Sequence, residues 1–315
     1  MVSREFDFGT KSIHEAIELQ VKKEGHKPKP VKPLEAPVLA QGHTAIYRMH
    51  RYWARRPHNV FSKLIEHYSN PGDLILDPFC GGGVTAVEAL KLRRKVVAID
   101  VNPRATWITK VQVESINLDE FERLFSIWHK SVVEKIRQLF RAKCSKCGGS
   151  GVAEWFEWSN VVICPHCEKE VVLGTAKKLR AGLFECQNNR CKARIKPNKC
   201  ERLPDNMLNV LVNCEKCKKS SLRPAKSEDL KGYEKVLREE NQYIKKEKLT
   251  IPDDEFPDMD RARDDNIFGK GVKYFRDLMT VRQRLAHAMM LNEAKNTRAA
   301  DNELNALLTV VSATL

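Results

Sequence analysis

Ten cysteines, and two aspartates that each close an apolar run, are the residues of this 315-residue chain whose types and spacing could do chemistry. Cys144/Cys147, Cys164/Cys167 and Cys214/Cys217 are CxxC pairs, and Cys186/Cys191 is a fourth pair spaced CxxxxC. A CxxC turn lets two thiolates converge on one tetrahedral cation, and two such turns complete a four-thiolate zinc site. Eight ligands imply two structural zinc ions. The simplest pairing joins Cys144/Cys147 to Cys164/Cys167 and Cys186/Cys191 to Cys214/Cys217; spacing leaves an interleaved pairing open. Cys200 is a spare thiol that could replace Cys191, and Cys80 stands apart in a glycine-rich loop.

That loop is the second centre of interest. Leu74-Ile75-Leu76-Asp77 reads as an apolar strand running into Pro78-Phe79-Cys80-Gly81-Gly82-Gly83-Val84-Thr85, with a helix predicted from Thr85 to Leu92. Glycines there let the backbone turn sharply and let a ligand come close. A second β-rich run, Val96-Val97-Ala98-Ile99, ends in Asp100, 23 residues after Asp77. Strand, glycine turn, helix, strand and acid is the order in which a Rossmann-like sheet binds a nucleoside, the acid accepting hydrogen bonds from a ribose diol. Val101 or Asn102, just past the acid, would meet the base. The spacing alone leaves nicotinamide, flavin and S-adenosylmethionine open, and no GxGxxG is present.

The residue identities choose among these. Asp77-Pro78-Phe79-Cys80-Gly81-Gly82-Gly83-Val84-Thr85 resembles motif I, DPFxGSGxT, of the amino-group DNA methyltransferases that act on adenine N6 or cytosine N4. Gly82 stands where that family usually has serine. Upstream, Tyr47-Arg48-Met49-His50-Arg51-Tyr52-Trp53-Ala54-Arg55-Arg56-Pro57-His58 resembles the segment before motif I in a zinc-containing group of adenine-specific DNA methylases. Asp100-Val101-Asn102-Pro103 is similar to that group's Asp-x-Asn-Pro. The stretch from Tyr274 to Leu285 resembles its DLFTPRQ segment, with Met279 and Val281 in place of Phe and Pro, so the similar blocks span most of residues 45–315. The resemblance implies an α/β, Rossmann-like S-adenosylmethionine-dependent methyltransferase fold, the cofactor being held by Asp77, Pro78, Phe79, Gly81, Gly83, Thr85, Asp100, Val101 and Asn102. Trp53, Arg55 and Arg56 are candidates for its methionine end, since a sulfonium tolerates an aromatic face and a carboxylate takes arginine partners.

Four segments must position these groups. Residues 1–40 read as a charged helix, Ser12 to Glu24, followed by an extended Lys/Pro arm, Lys27 to Pro33. Residues 41–141 form the cofactor-binding half: a helix from Asn59 to Tyr68, the strand-turn-helix-strand unit, and a helix from Glu120 to Arg141 with apolar residues at helical spacing. Residues 142–225 are a double zinc-ribbon insertion. Residues 226–315 are a linker and C-terminal helices, one of them launched by the capping box Thr280-Val281-Arg282-Gln283.

Charge points to a polyanion. The chain has a formal net charge of +14, and residues 141–226 hold 18 Lys/Arg against 8 Asp/Glu. Two four-thiolate zinc sites, each near −2, would leave an effective local excess of about +6. DNA is the expected partner, and Arg180, Arg190, Lys192, Arg194, Lys196, Lys199 and Arg202 are candidates for phosphate contacts, which position without reading sequence. Trp155, Phe156 and Trp158 either stack on an unpaired base or cover a small zinc-stapled core. No run approaches the roughly 18 apolar residues of a membrane span, and the first residues form no apolar leader, so a cytoplasmic protein with no membrane partner is expected.

Methyl transfer to an exocyclic amine needs more than a donor, because the amine's lone pair is delocalised into the ring. The resembled enzymes use a [DNS]PP[YFW] motif, whose polar groups accept the amine's hydrogens while its aromatic stacks on the flipped base. Leu203-Pro204-Asp205, Ile251-Pro252-Asp253 and Phe256-Pro257-Asp258 lack the double proline and the aromatic, so no catalytic residue is visible. The sequence therefore reads as a DNA methyltransferase carrying the cofactor-binding and DNA-binding parts, truncated before that motif or completed by a second polypeptide that supplies it. Two other readings stay open: a non-catalytic zinc-ribbon nucleic-acid-binding subunit, and an RNA methyltransferase.

Overall fold

A computed structural model describes residues 31–297 and 299–314. The helix expected at Ser12 to Glu24 and most of the Lys/Pro arm lie outside the described residues. The chain is mixed α/β and divides into two compact units, Met1–Val113 and Glu114–Leu315.

The first unit contains α1 (Ala45–Arg48), α2 (His58–Tyr68), β1 (Leu74–Asp77), α3 (Val84–Lys91), β2 (Lys95–Ala98) and α4 (Pro103–Val113). The β1 and β2 strands pair in parallel, Leu74 opposite Lys95 and Asp77 opposite Ala98. Parallel neighbours need a crossover, which α3 supplies. Ala86, Val87 and Ala89 of α3 are buried, and their small volume lets the helix lie close to α2, α4 and β2. Arg94 fastens the end of α2 to the start of β2, its Nε donating to Ser69 Oγ at 3.0 Å and its Nη2 to the Ser69 carbonyl at 2.6 Å. Among the described residues this sheet has two strands, and Leu74 and Leu76 of β1 are each 52% exposed.

The second unit opens with α5 (Leu118–Leu139), capped by Asn117, whose Oδ1 accepts the Glu120 N–H at 3.2 Å. It closes with α6 (Ser227–Glu247), α7 (Asp260–Asp264), α8 (Val281–Lys295) and α9 (Asp301–Ala313). The expected capping box launches α8: Gln283 N–H reaches Thr280 Oγ1, and Thr280 N–H reaches Gln283 Oε1. The sequence reading places the helix before the cysteines in the cofactor-binding half, with a boundary at residue 141. The structure corrects this. The stripe Trp128, Val132 and Leu139 shares one core with Val236, Leu285, Met289, Leu307 and Val311, and Trp128 Nε1 donates to the Met290 carbonyl at 2.9 Å. An amphipathic stripe goes to whichever apolar surface matches it, and here the C-terminal helices supply the match.

Two antiparallel sheets lie between α5 and α6 in sequence. The strands β3 (Arg141–Lys143), β4 (Ser150–Ile163), β5 (Glu170–Val172), β9 (Arg202–Cys214) and β10 (Ser220–Pro224) make one sheet, ordered β10-β9-β4-β3 with β5 also on β4. A second sheet holds β6 (Lys178–Arg180), β7 (Leu183–Glu185) and β8 (Arg194–Ile195). The long β4 and β9 strands set Gly151 opposite Cys214 at one end and Val162 opposite Arg202 at the other. Gly151 must be glycine, since a Cβ there would fall 2.5 Å from the Asn213 carbonyl oxygen. Phe156 and Trp158 pack on Met207, Val210 and Val212, so two of the three aromatics cover a core while Trp155 stays exposed.

A buried ion pair joins this sheet to the helices. Arg223 Nη1 and Nη2 donate to Asp229 Oδ2 and Oδ1 at 2.6 and 2.8 Å, Arg223 Nε donates to the Lys143 carbonyl, and Asp229 Oδ2 also accepts the Lys226 N–H at the start of α6. Burial acts to raise the Asp229 pKa, but the guanidinium and the backbone N–H outweigh it and hold it below its ordinary value. Removing one partner of a buried bidentate pair strands the other charge, so Asp229→Asn should cost about 3–5 kcal/mol in a denaturant titration. The folded-state pKa is the lower one, so the wild-type advantage is fully present above roughly pH 4 and is lost as pH falls through the lowered value. A variant as stable as the wild type would show that the pair does not fasten the two layers.

Candidate cofactor loop and metal centres

The glycine loop is set by where the two parallel strands end. Past β2, Ile99 N–H still bonds to the Asp77 carbonyl (2.8 Å) and Cys80 N–H bonds to the Ile99 carbonyl (2.9 Å), which brings the loop against the end of β2. Asp100 then receives two backbone donors: Gly81 N–H on Oδ2 at 2.8 Å and Asn102 N–H on Oδ1 at 2.9 Å. A carboxylate oxygen has two lone pairs, so each keeps one for an incoming hydroxyl. Asp77 Oδ1 accepts the Phe79 N–H at 3.0 Å. Gly81 and Gly83 sit at φ +48° and +81°, the left-handed region where a side chain is strained.

The rim of this loop is apolar and open. Phe79 is 85% exposed and Val101 is 99% exposed. Pro78 is exposed too, whereas Thr85 is buried in the first turn of α3. Asn102 is occupied as the cap of α4, its Oδ1 accepting the Arg104 N–H at 3.0 Å. Of the upstream block, Trp53 is exposed with the Arg104 guanidinium 5.8 Å from its ring centroid, Arg55 lies half-buried on the loop, and Arg56 is exposed.

Several further residues support the loop: Tyr52 and His50, which lie in the upstream block without being singled out there, and Thr109, which no motif marks. Tyr52 lies against Gly81, where a Cβ would fall 3.2 Å from the ring. Thr109, on α4, donates to the Gly81 carbonyl at 3.3 Å, and its hydroxyl fills the space beside Gly83. Buried His50 sits between the Arg51 carbonyl, 2.7 Å from Nδ1, and Arg104 Nη2, 3.4 Å from Nε2. Burial lowers its pKa, which suits a neutral ring that donates from one nitrogen and accepts at the other. These partners are brought to the loop by tertiary packing, which motif spacing does not report.

The eight expected cysteine ligands gather into two groups of four. Cys144, Cys147, Cys214 and Cys217 have their sulfurs within 4.8 Å of one another, and so do Cys164, Cys167, Cys186 and Cys191. The simplest sequential pairing is therefore overturned. The reason is the antiparallel β4–β9 ladder: the 144–147 turn enters β4 and the 214–217 turn leaves β9 at the same end, while 164–167 follows β4 at the opposite end. Sulfur separations of 3.5 Å (Cys147–Cys214), 3.7 Å (Cys167–Cys186) and 3.9 Å (Cys164–Cys191) match neither bond nor accident. Sulfurs about 2.3 Å from one tetrahedral ion stand about 3.8 Å apart, whereas a disulfide needs about 2.05 Å. Backbone N–H groups of Cys147 and Lys146 pull the Cys144 thiol down to about 6, and the Asn188 side chain and Lys169 backbone do the same for Cys167, while neighbouring sulfurs push Cys217, and burial pushes Cys186, up to about 12, so one thiol in each group is favoured as thiolate at the expense of another. Cys200 lies outside both groups, its thiol donating to the Lys196 carbonyl at 3.3 Å.

The seven basic candidates are all exposed and lie on or beside the sheet next to the second cysteine group. Their availability differs. Arg202 is engaged within the protein, by Asn160, Asp205 and the Lys270 carbonyl, and Lys192 faces Glu185 at 3.8 Å.

Residues 15–110 match the DNA methylase family. The chain is 43% identical over 47 residues to the type II methyltransferase M1.MboII of Moraxella bovis, covering 15% of this chain and 18% of that protein. It is 23% identical over 79 residues to the type II methyltransferase M.MjaII of Methanocaldococcus jannaschii, covering 25% and 15%. It is also 32% identical over 87 residues to the tRNA (guanine(37)-N(1))-methyltransferase of Saccharomyces cerevisiae, covering 28% and 17%. The chain thus spans less than a fifth of the length of each of these relatives. No solved structure matches it significantly.

The interleaved cysteine groups have a direct test. In a Cys147→Ser/Cys214→Ser double variant both changes fall on one group, so metal per chain, measured by atomic spectroscopy, should drop from two ions to one. Loss of both ions would restore the sequential pairing.

Proposed function

We propose that the loop between β1 and α3 binds S-adenosylmethionine, and that the chain serves a DNA methyltransferase acting on adenine N6 or cytosine N4. The observation that carries this is Asp100. Its carboxylate is oriented by two backbone N–H groups at the ends of two parallel strands and lies beside glycines where a side chain would crowd its neighbours. It can take the ribose hydroxyls on its remaining lone pairs, with Val101 and Phe79 on the rim as the apolar surfaces for adenine. Asp77, Pro78, Gly81, Gly83 and Asn102 shape the cradle, Thr85 packs beneath it, and Trp53, Arg55 and Arg56 serve the methionine end. When bound, the cofactor supplies a methyl group on a positively charged sulfur. The reading keeps the Rossmann-like assignment for the β1-α3-β2 unit.

The comparisons support donor capture as the shared part. Relatives named as type II methyltransferases and as a tRNA methyltransferase are similar to this chain over segments of under a third of its length, and what methyltransferases have in common is a methyl donor. The DNA methylase match over residues 15–110 favours DNA as the target. In this reading two zinc ions staple the β-rich insertion through the eight cysteines, and Arg180, Arg190, Arg194, Lys196 and Lys199 contact phosphates, with Lys192 and Arg202 at the margin.

Isothermal titration with S-adenosylmethionine tests the reading. Saturable binding is expected, and Asp100→Ala should weaken it about 10-fold or more, because it removes the ribose acceptor and unties Gly81 together. The absence of saturable binding to the wild type would favour a non-catalytic nucleic-acid-binding subunit. Fluorescence anisotropy then separates the targets: duplex DNA should compete better than tRNA, with affinity falling as salt rises, and the reverse preference would favour the RNA reading.

A further inference from the structure

Position 82 is glycine where the resembled DNA methyltransferase motif has serine, and the backbone does not explain it. Gly82, unlike Gly81 and Gly83, is not in the left-handed region. Space explains it. A Cβ on Gly82 would fall 2.8 Å from Arg55 Nε, 2.9 Å from Nη2 and 3.0 Å from Cζ, so the Arg55 guanidinium occupies the volume that a side chain at 82 would fill.

The guanidinium is held in that volume from three sides. Nη2 donates to the His50 carbonyl at 3.2 Å, and Cζ lies 5.6 Å from the centroid of the buried Tyr47 ring. On the third side is Gln112 of α4. With the Gln112 amide turned to the orientation that pairs both of its ends, its oxygen accepts from Arg55 Nη1 at 3.2 Å and its nitrogen donates to the Gly82 carbonyl at 3.1 Å. Tyr47 is itself anchored by the hydrogen bond from its hydroxyl to Glu88. None of these partners of Arg55 is a carboxylate, and among the described residues Arg55 forms no ion pair, so a permanent positive charge is fixed, half-buried, on the glycine loop.

We infer that Gly82 and Gln112 are positioning residues that seat Arg55 as the receptor for the carboxylate of the methionine moiety. The inference rests on the S-adenosylmethionine reading above. The anionic group of that donor is its amino-acid carboxylate, and a planar fork held at two corners is suited to a carboxylate.

Two ligands separate this role from mere support of the loop. S-adenosylhomocysteine carries the carboxylate; 5′-methylthioadenosine has the same nucleoside and thioether without the amino-acid end. By calorimetry, Arg55→Ala should weaken S-adenosylhomocysteine about 10- to 100-fold while leaving 5′-methylthioadenosine within about 2-fold. Gly82→Ala should reproduce that pattern with Arg55 still in the chain, because the new methyl group displaces only the end of a flexible side chain. Gln112→Ala should give a smaller loss of the same selectivity, and Arg55→Ala/Gly82→Ala should be no worse than the weaker-binding single variant. Full S-adenosylhomocysteine affinity in Gly82→Ala would overturn the inference, as would additive losses or a parallel loss of both ligands. If Arg55→Ala lowers the melting temperature sharply, Gly82→Ala and Gln112→Ala still decide. A wild-type chain that binds 5′-methylthioadenosine but gains nothing from the amino-acid end contradicts this inference alone, whereas one that binds neither ligand removes the underlying reading with it.

Discussion

One carboxylate organises the first unit. Two short parallel strands with a single crossover helix have little hydrogen bonding of their own, and their loops would be free to spread. Asp100 prevents this by accepting from Gly81 and Asn102 at once, so the loop after β1 and the turn after β2 are tied at one point. Gly81 and Gly83 can then take left-handed conformations, Thr109 and Tyr52 close on the loop from behind, and Phe79 and Val101 are left projecting on the open side. In the proposed reading the group that holds the ribose is thus the group that holds the loop, which couples ligand affinity to local order.

The second unit depends on a different constraint, the register of two long antiparallel strands. With Gly151 facing Cys214, the cysteine turns before β4 and after β9 meet, and the remaining four cysteines are carried to the far end of the ladder. Each group then sits at the end of a sheet too small to be held by apolar burial alone, where thiolate-metal bonds would contribute most. The buried Arg223–Asp229 pair joins the same sheet to α6. Arg282 adds a second link, its buried guanidinium lying 4.6 Å from the Phe156 ring and 5.5 Å from the Tyr233 ring.

Features encoded by contiguous residues were legible in the sequence. The β1 strand, the glycine turn, α3 and Asp100 follow one another within a short stretch, and their pattern reports them directly; Thr280 and Gln283 announce α8 in the same way. What required tertiary information was not legible. CxxC spacing constrains a turn but does not say which turn it meets, so the pairing of cysteines waited on the β4–β9 register. The apolar stripe of α5 is plain, yet nothing within it says that Leu285 and Leu307, more than a hundred residues on, complete its core. The departure at Gly82 reads as a lost hydroxyl until Arg55 is seen in the space. Of the two residues expected to meet a base, Val101 or Asn102, the spacing does not report that Asn102 caps α4 while Val101 stands exposed beside the acid.

Donor capture at the β1–α3 loop is most directly measured by ultraviolet crosslinking of methyl-labelled S-adenosylmethionine to the chain, followed by peptide mapping. Label should appear in peptides carrying Phe79 and Val101 and should be suppressed by excess S-adenosylhomocysteine. Labelling that does not saturate, or that is confined to residues 114–315, would contradict it.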